Sequence, residues 1–240
     1  MTNTTGNATS PSRRTGALSA GLGIVLMAVV AGFSYGMVLN GLTVPGDAAV
    51  TAANLRADAS LFRSGIIGWL VILILDIIVA WGLYLFFRAT DQPLSLLTAW
   101  FRLVYAAVLG TAIALLVMAL LVADAGAYLT VFAPEQADAL VLLSLSAHDS
   151  VYALALVIFG CHLVLLGVLA YRASDTPAVL GFLLILAALG YLLIGPAELL
   201  LPAYGEAVAL LELGFTLPMI VGELGFGLWL IFRGGRSRAD

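Results

Sequence analysis

Residues 61–87 read LFRSGIIGWLVILILDIIVAWGLYLFF. Arg63 stands near the start and Asp76 in the interior, and the rest is almost wholly apolar or small. A helix needs about 20 apolar residues to cross about 30 Å of hydrocarbon, and this run is long enough. Lipid offers no hydrogen bonds to an exposed backbone, so such a run satisfies its own N–H and C=O groups as a helix.

Five more runs of this kind flank it, at about 16–39, 94–123, 139–171, 177–201 and 207–232. The longer ones imply tilt or ends that project past the membrane. The breaks between them carry helix punctuation. Asp91-Gln92-Pro93 separates the second run from the third, Pro134-Glu135-Gln136 opens the fourth, Ser174-Asp175-Thr176-Pro177 precedes the fifth, and Pro202 closes it. The fold expected is all-α: a polytopic six-helix transmembrane bundle over residues 16–232. Residues 1–15, rich in Thr, Asn and Ser, form a disordered tail, and residues 233–240 form a second tail.

Composition agrees. Of 240 residues, 62% are hydrophobic and 10% charged, and mean hydropathy is +1.11. A soluble domain carries about 25% charged residues, and one this apolar would aggregate through its surface. The bilayer is therefore the first partner. The net charge of -4 and the absence of a basic patch beyond the tails exclude nucleic acid as a partner. All ten cations are Arg, which reads as base composition of the gene. The single cysteine, Cys161, excludes an intrachain disulfide or a Cys-rich metal site.

Arginine placement gives an orientation. With the N-terminus inside, the inner segments hold Arg13, Arg14, Arg88, Arg172, Arg233, Arg236 and Arg238, and the outer loops hold Arg56. Seven against one places both termini in the cytoplasm and the protein in the cell (inner or plasma) membrane. Ser12-Arg13-Arg14 before an apolar stretch resembles a twin-arginine export signal. The motif's other residues and a small-x-small cleavage site are missing, so the segment reads as a retained first span. The six spans do not match as two halves, which argues against an inverted-repeat transporter fold.

Seven ionisable groups besides histidine fall inside the runs: Arg63, Asp76, Arg102, Asp149, Glu198, Glu212 and Glu223. Each costs about 2.5–3.5 kcal/mol or more against lipid at mid-membrane, so each is expected to face the bundle interior. Helix rise gives depth. Asp76 stands about 18 Å from the inner end of its helix, Arg102 about 13 Å, and His162 and Glu223 about 15 Å. These four form one midplane layer, with an Asp76–Arg102 bridge across a tight hairpin and Tyr105 one turn from Arg102. Arg63, His148, Asp149, Glu198 and Glu212 form a second set nearer the outer face. Glu212 and Glu223, eleven apart, share a helix face. His148 and His162 nearly do, so the two sets are the ends of one polar track. Pro196 and Pro218 lie inside the fifth and sixth spans, each freeing a carbonyl one turn earlier beside a glutamate.

Structural alternatives stand beside these readings. Asp76–Arg102 is equally a register-fixing ion pair, Glu223 a protonated acid on a carbonyl, and His162 a satisfied interior histidine. The outer set is equally a group of wetted interfacial side chains. No ligand pair has metal-motif spacing, so no metal is assigned. Two histidines cannot give two haems two ligands each, and no nucleotide fingerprint occurs, so no cofactor is assigned. His148-Asp149-Ser150 and Cys161-His162 are adjacent on helices and point about 100° apart, which is no triad. Enzymatic chemistry therefore has little support. Gly32-Phe-Ser-Tyr-Gly36 and Gly222, Gly225 and Gly227 allow close helix approach within the chain or in a homo-oligomer.

The segments LDIIVAWGLY (75–84), WFRLVYA (100–106), FGCHLVLLGVLAYR (159–172) and GELGFGLWLIFRG (222–234) resemble a bacterial membrane family, domain of unknown function 4386, over residues 60–234. The resemblance carries no activity across. It implies that Asp76, Arg102, Tyr105, His162 and Glu223 lie in the family-like segments, whereas His148-Asp149-Ser150 lies outside them. The first expectation is a proton-linked transporter or permease-like protein for a small molecule or ion, using the midplane set. Glu223 or His162 would exchange the proton, and Arg102 would hold anionic charge. A membrane enzyme acting on lipid or isoprenoid through outer metal ligands is the second. A non-catalytic or stress-sensing membrane subunit is the third.

Overall fold

The computed structural model describes residues 12–124, 131–200 and 205–236, without the side chains of residues 198, 199 and 207. Among the described residues there is helix and no strand. The elements are α1 (Arg13–Ala31), a π-helical stretch (Gly32–Leu39), a last turn α2 (Asn40–Leu42), α3 (Ala48–Ala57), α4 (Ala59–Phe87), α5 (Gln92–Ala123), α6 (Pro134–Arg172), α7 (Ala178–Leu200) and α8 (Gly205–Phe232). Six helices are long and apolar enough to cross a membrane; the first of these is the continuous rod Arg13–Leu42. The chain is a multi-pass membrane protein.

Local chemistry sets the ends. Ser12 accepts from the Thr15 N–H at 3.1 Å and starts α1 at Arg13, inside the stretch expected to be a tail. The rest of that tail, residues 1–11, lies outside the described residues. Asp47 and Asp91 cap α3 and α5 by accepting from Val50 and Leu94 N–H groups. Gln136 Oε1 accepts from the Ala133 N–H at the start of α6. The loop between the first two spans is itself helical, as α3.

The spanning helices form a closed ring in chain order: α1 packs on α4, α4 on α5, α5 on α6, α6 on α7, α7 on α8, and α8 returns to α1. In α4 the inward series is Phe62, Gly65, Trp69, Ile72, Asp76, Val79, Leu83 and Phe86, spaced alternately three and four, with Ile67, Leu70, Ile74, Ile77 and Trp81 facing outward. A Cβ on Gly21 would stand 2.6 Å from the Gly227 carbonyl oxygen, and one on Gly16 would stand 2.6 Å from that of Gly82. Only glycine lets these backbones approach so closely, and they form the α1–α8 and α1–α4 seams. Gly32, Gly36 and Gly225 have nothing within 4 Å of a built Cβ. Close packing thus runs through other glycines than the expected Gly32–Gly36 motif, whose two glycines fall in the π-helical turns.

Ion pairs fasten both ends of the ring. Near the termini, Arg13 holds Asp175 with two bonds of 2.6 and 2.9 Å, and Arg172 holds Asp91 at 2.9 Å. Arg14 donates to the carbonyls of Leu230, Ile231 and Gly234, joining α1 to the end of α8. At the far end, Arg56 pairs with Asp138 and Arg63 with Asp124.

Candidate functional site

Asp76 comes inward on α4 and Arg102 on α5, both almost wholly buried. Arg102 Nη2 donates to Asp76 Oδ1 at 2.6 Å, and Nη1 lies 3.2 Å from His162 Nε2 on α6. A guanidinium only donates, so Nε2 accepts and the ring proton sits on Nδ1, which donates to the Thr98 carbonyl at 2.9 Å. His162 therefore has both nitrogens occupied, and its side chain lies behind the ion pair. The guanidinium carbon is 5.2 Å from the centre of the Phe159 ring, a cation–π distance. Burying two charges costs several kcal/mol per ion, which the pair offsets only when its other atoms are also bonded. Here Asp76 Oδ2 and Arg102 Nε have no partner among the described residues.

Glu223, half-buried on α8, accepts a hydrogen bond from Tyr191 of α7 at 2.6 Å. It makes no ion pair among the described residues. Glu223, Tyr191, Asp76, Arg102 and Tyr105 line one cavity of about 350 Å³, together with Trp69, Tyr152 and Phe159. Three of the four midplane groups thus join in one cluster, and the fourth faces them across the cavity. Rim residues that both line this cavity and stand exposed are Ala28 of α1 and Thr216 and Ile220 of α8. The mouth therefore opens sideways between α1 and α8.

A second cavity of about 340 Å³ lies at the far end, lined by Tyr35, Asn40, Thr43, His148 and Asp149 among others. His148 Nδ1 donates to the Ala112 carbonyl at 2.9 Å, which leaves Nε2 as a buried acceptor without a partner among the described residues. The two histidines thus bond to α5 carbonyls fourteen residues apart, fixing one antiparallel register twice. Trp69 stands between the cavities. Its ring centre is 6.5 Å from Tyr35, 5.5 Å from His148 and 5.1 Å from Tyr152, all edge-on.

In the outer set His148 is buried, but the charged members Arg63, Asp149 and Glu212 are exposed, do not face the interior and fit the interfacial alternative. Counting helix rise from Arg88, Arg172 and Arg233, they stand about 37, 35 and 31 Å from the helix ends that carry those arginines, more than the thickness of a 30 Å core. Water or headgroups reach them there, and desolvation no longer drives them inward. Glu212 is exposed and lines neither of these two cavities, so among the described residues it is not joined to Glu223 through them. The Glu198 side chain lies outside the described residues. Among the described residues no three His, Cys, Asp or Glu side chains gather as metal ligands. The outer metal centre of the enzymatic reading therefore has no assembled ligand set among them.

A family model with the description "Domain of unknown function (DUF4386)" matches residues 19–234. The chain belongs to the DUF4386 family. The family match begins in α1, well before residue 60, so it takes in the first span as well as the segments that carry the resemblance. An uncharacterized protein of Archaeoglobus fulgidus is 32% identical over 169 residues, covering 70% of this chain and 83% of that protein. No solved structure matches. In this DUF4386 protein the residues that sequence reasoning misses are Trp69, Tyr152, Phe159 and Tyr191. Tyr191 carries a signal, since a hydroxyl deep in the Leu-rich fifth run needs a partner. Trp69 carries a weaker one, being a tryptophan well inside its span.

Proposed function

We propose that this DUF4386 protein is a small proton-linked transporter whose proton-exchanging group is Glu223. The observation that supports it best is the cavity near mid-membrane, where Glu223 is a carboxyl with one hydroxyl partner and no counter-cation among the described residues. A buried acid of this kind binds either a proton or a cationic or hydrogen-bonding solute, and one excludes the other. The titratable and charged groups on the same cavity are Asp76 from α4, Arg102 and Tyr105 from α5, Tyr152 from α6 and Tyr191 from α7; α1 contributes none.

Arg102 is committed to Asp76 and His162, so the three together make a fixed, internally neutral wall rather than a free anion site. His162, with both nitrogens bonded, orients Arg102 and is not the proton carrier. The Trp69, Tyr35, His148 and Tyr152 rings favour a closed passage between the far cavity and the central one, as alternating access requires. The arginine distribution supports cytoplasmic termini in the cell membrane, with the far cavity facing outward.

The test is proton flux in proteoliposomes under an imposed pH gradient, with a panel of small amphiphiles as solute. Wild-type protein should dissipate the gradient with at least one solute. Glu223→Gln and Asp76→Asn, reconstituted at equal density, should not. Wild-type flux in Glu223→Gln would remove the role assigned to it.

A further inference from the structure

We infer that the central cavity takes a lipophilic organic cation, an amine, quaternary ammonium or phosphonium, which enters sideways from the membrane between α1 and α8. The inference rests on the transport site proposed above and names its substrate class.

Charge comes first. Asp76 and Arg102 cancel at 2.6 Å, and His162 does not line the cavity. Among the described residues Glu223 is then the one uncompensated acid on the wall, so an ionised cavity carries one net negative charge from them. A monovalent cation neutralises it and an anion would double it. The walls favour the same ligand. Trp69, Tyr105, Tyr152, Phe159 and Tyr191 surround the space, and aromatic faces attract a poorly hydrated organic cation. Arg102 over Phe159 already shows one of these rings holding positive charge.

The mouth sets the lipophilicity. By helix rise, Ala28 is about 22 Å from Arg13, and Ile220 and Thr216 are about 20 and 25 Å from Arg233. All three fall within the hydrocarbon thickness. The exposed side chains around them include the apolar Val29, Leu213, Leu217 and Val221, with the exposed acid Glu212 one turn farther out on α8. A solute reaching this opening must already be dissolved in acyl chains. Binding is a proton exchange: the protonated Glu223 carboxyl releases its proton to water, and the resulting carboxylate holds the cation. One proton leaves per monovalent cation bound, and no bond of the solute changes.

Tetraphenylphosphonium and tetraphenylborate have nearly the same shape and opposite charge, and they serve as probes on the purified full-length protein in nanodiscs. Calorimetry in buffers of different ionisation enthalpy should give saturable binding of the phosphonium with about one proton released, and no saturable binding of the borate. Glu223→Gln should weaken phosphonium binding by about tenfold or more and abolish proton release. Glu212→Gln, an exposed acid on the same helix, should change neither. Ala28→Trp at the mouth should slow phosphonium association while leaving the proton count unchanged. Equal binding of the borate, no phosphonium binding, or phosphonium binding indifferent to Glu223→Gln overturns the inference. If the phosphonium fails yet another solute gives Glu223-dependent proton flux, the cation class falls and the transport reading stands. If the phosphonium binds as described but no solute drives proton flux, transport falls and the cation site stands.

Discussion

Asp76 and Arg102 illustrate how one side chain constrains another in a low-dielectric interior. Removing one member leaves the other charged, buried and unpaired, at a cost of about 3–5 kcal/mol. Asp76→Leu should therefore lower the unfolding temperature in detergent sharply. Adding Arg102→Met to it should recover much of the loss, because neither charge then remains. A double variant no more stable than Asp76→Leu alone would mean that the pair contributes through packing and not through charge. His162 gives a related test. His162→Ala removes an acceptor from Arg102 and a donor from Thr98, and should destabilise by about 1–3 kcal/mol, with phosphonium affinity changing far less than in Glu223→Gln. At this scale the sequence is informative about charges and nearly silent about rings. Counting rise from the helix ends brings Asp76, Arg102, His162 and Glu223 to one level, where three of them bond and Glu223 faces them. Which aromatic side chains complete the wall depends on helix rotation, and composition does not encode that.

At the scale of the helix, the alternation that reveals a buried face in water is missing. Both faces of α4 are apolar, so Trp69 inward and Trp81 outward are chemically alike, and only Asp76 and the glycines betray the inner side. The glycines themselves divide by what surrounds them. Gly21→Ala would press a methyl into the Gly227 carbonyl and should lower thermal stability and loosen the α1–α8 seam. Gly32→Ala meets open space and should be neutral, or stabilising by up to about 1 kcal/mol from helix propensity. A pair of melting curves in one detergent checks both. The π-helical turns at Gly32–Leu39 were not foreseeable from the residues, because FSY between two glycines fits an α-helix equally well. They put Tyr35 against Trp69, and wide turns of this kind recur at functional sites.

Across the whole molecule, ring order follows chain order, so the number of spans and their short connections fix most of the topology. Hydropathy alone reveals that six helices are long and apolar enough to cross a membrane. It does not reveal that α6, with 39 residues, buries His148 while leaving its neighbour Asp149 exposed. Orientation is open to a direct check. In a Cys161→Ser background, cysteines placed at Ser174 and at Asp58 should react with an impermeant maleimide from the inner and the outer side of the membrane respectively. The reverse pattern would invert the proposed topology and put the far cavity inside the cell.

The return of α8 to α1 has a consequence for biogenesis. Helices leave the ribosome one at a time, and until the last has been inserted the first five make an open trough. Asp76 and Arg102 would already be paired in it, but lipid would stand where Glu223 belongs. Arg13 can find Asp175 early, whereas Arg14 must wait for residues 230–234. A chain interrupted before α8 should thus leave a polar groove facing acyl chains, a ready mark for membrane proteases, and completion of synthesis would itself hide the degradation signal.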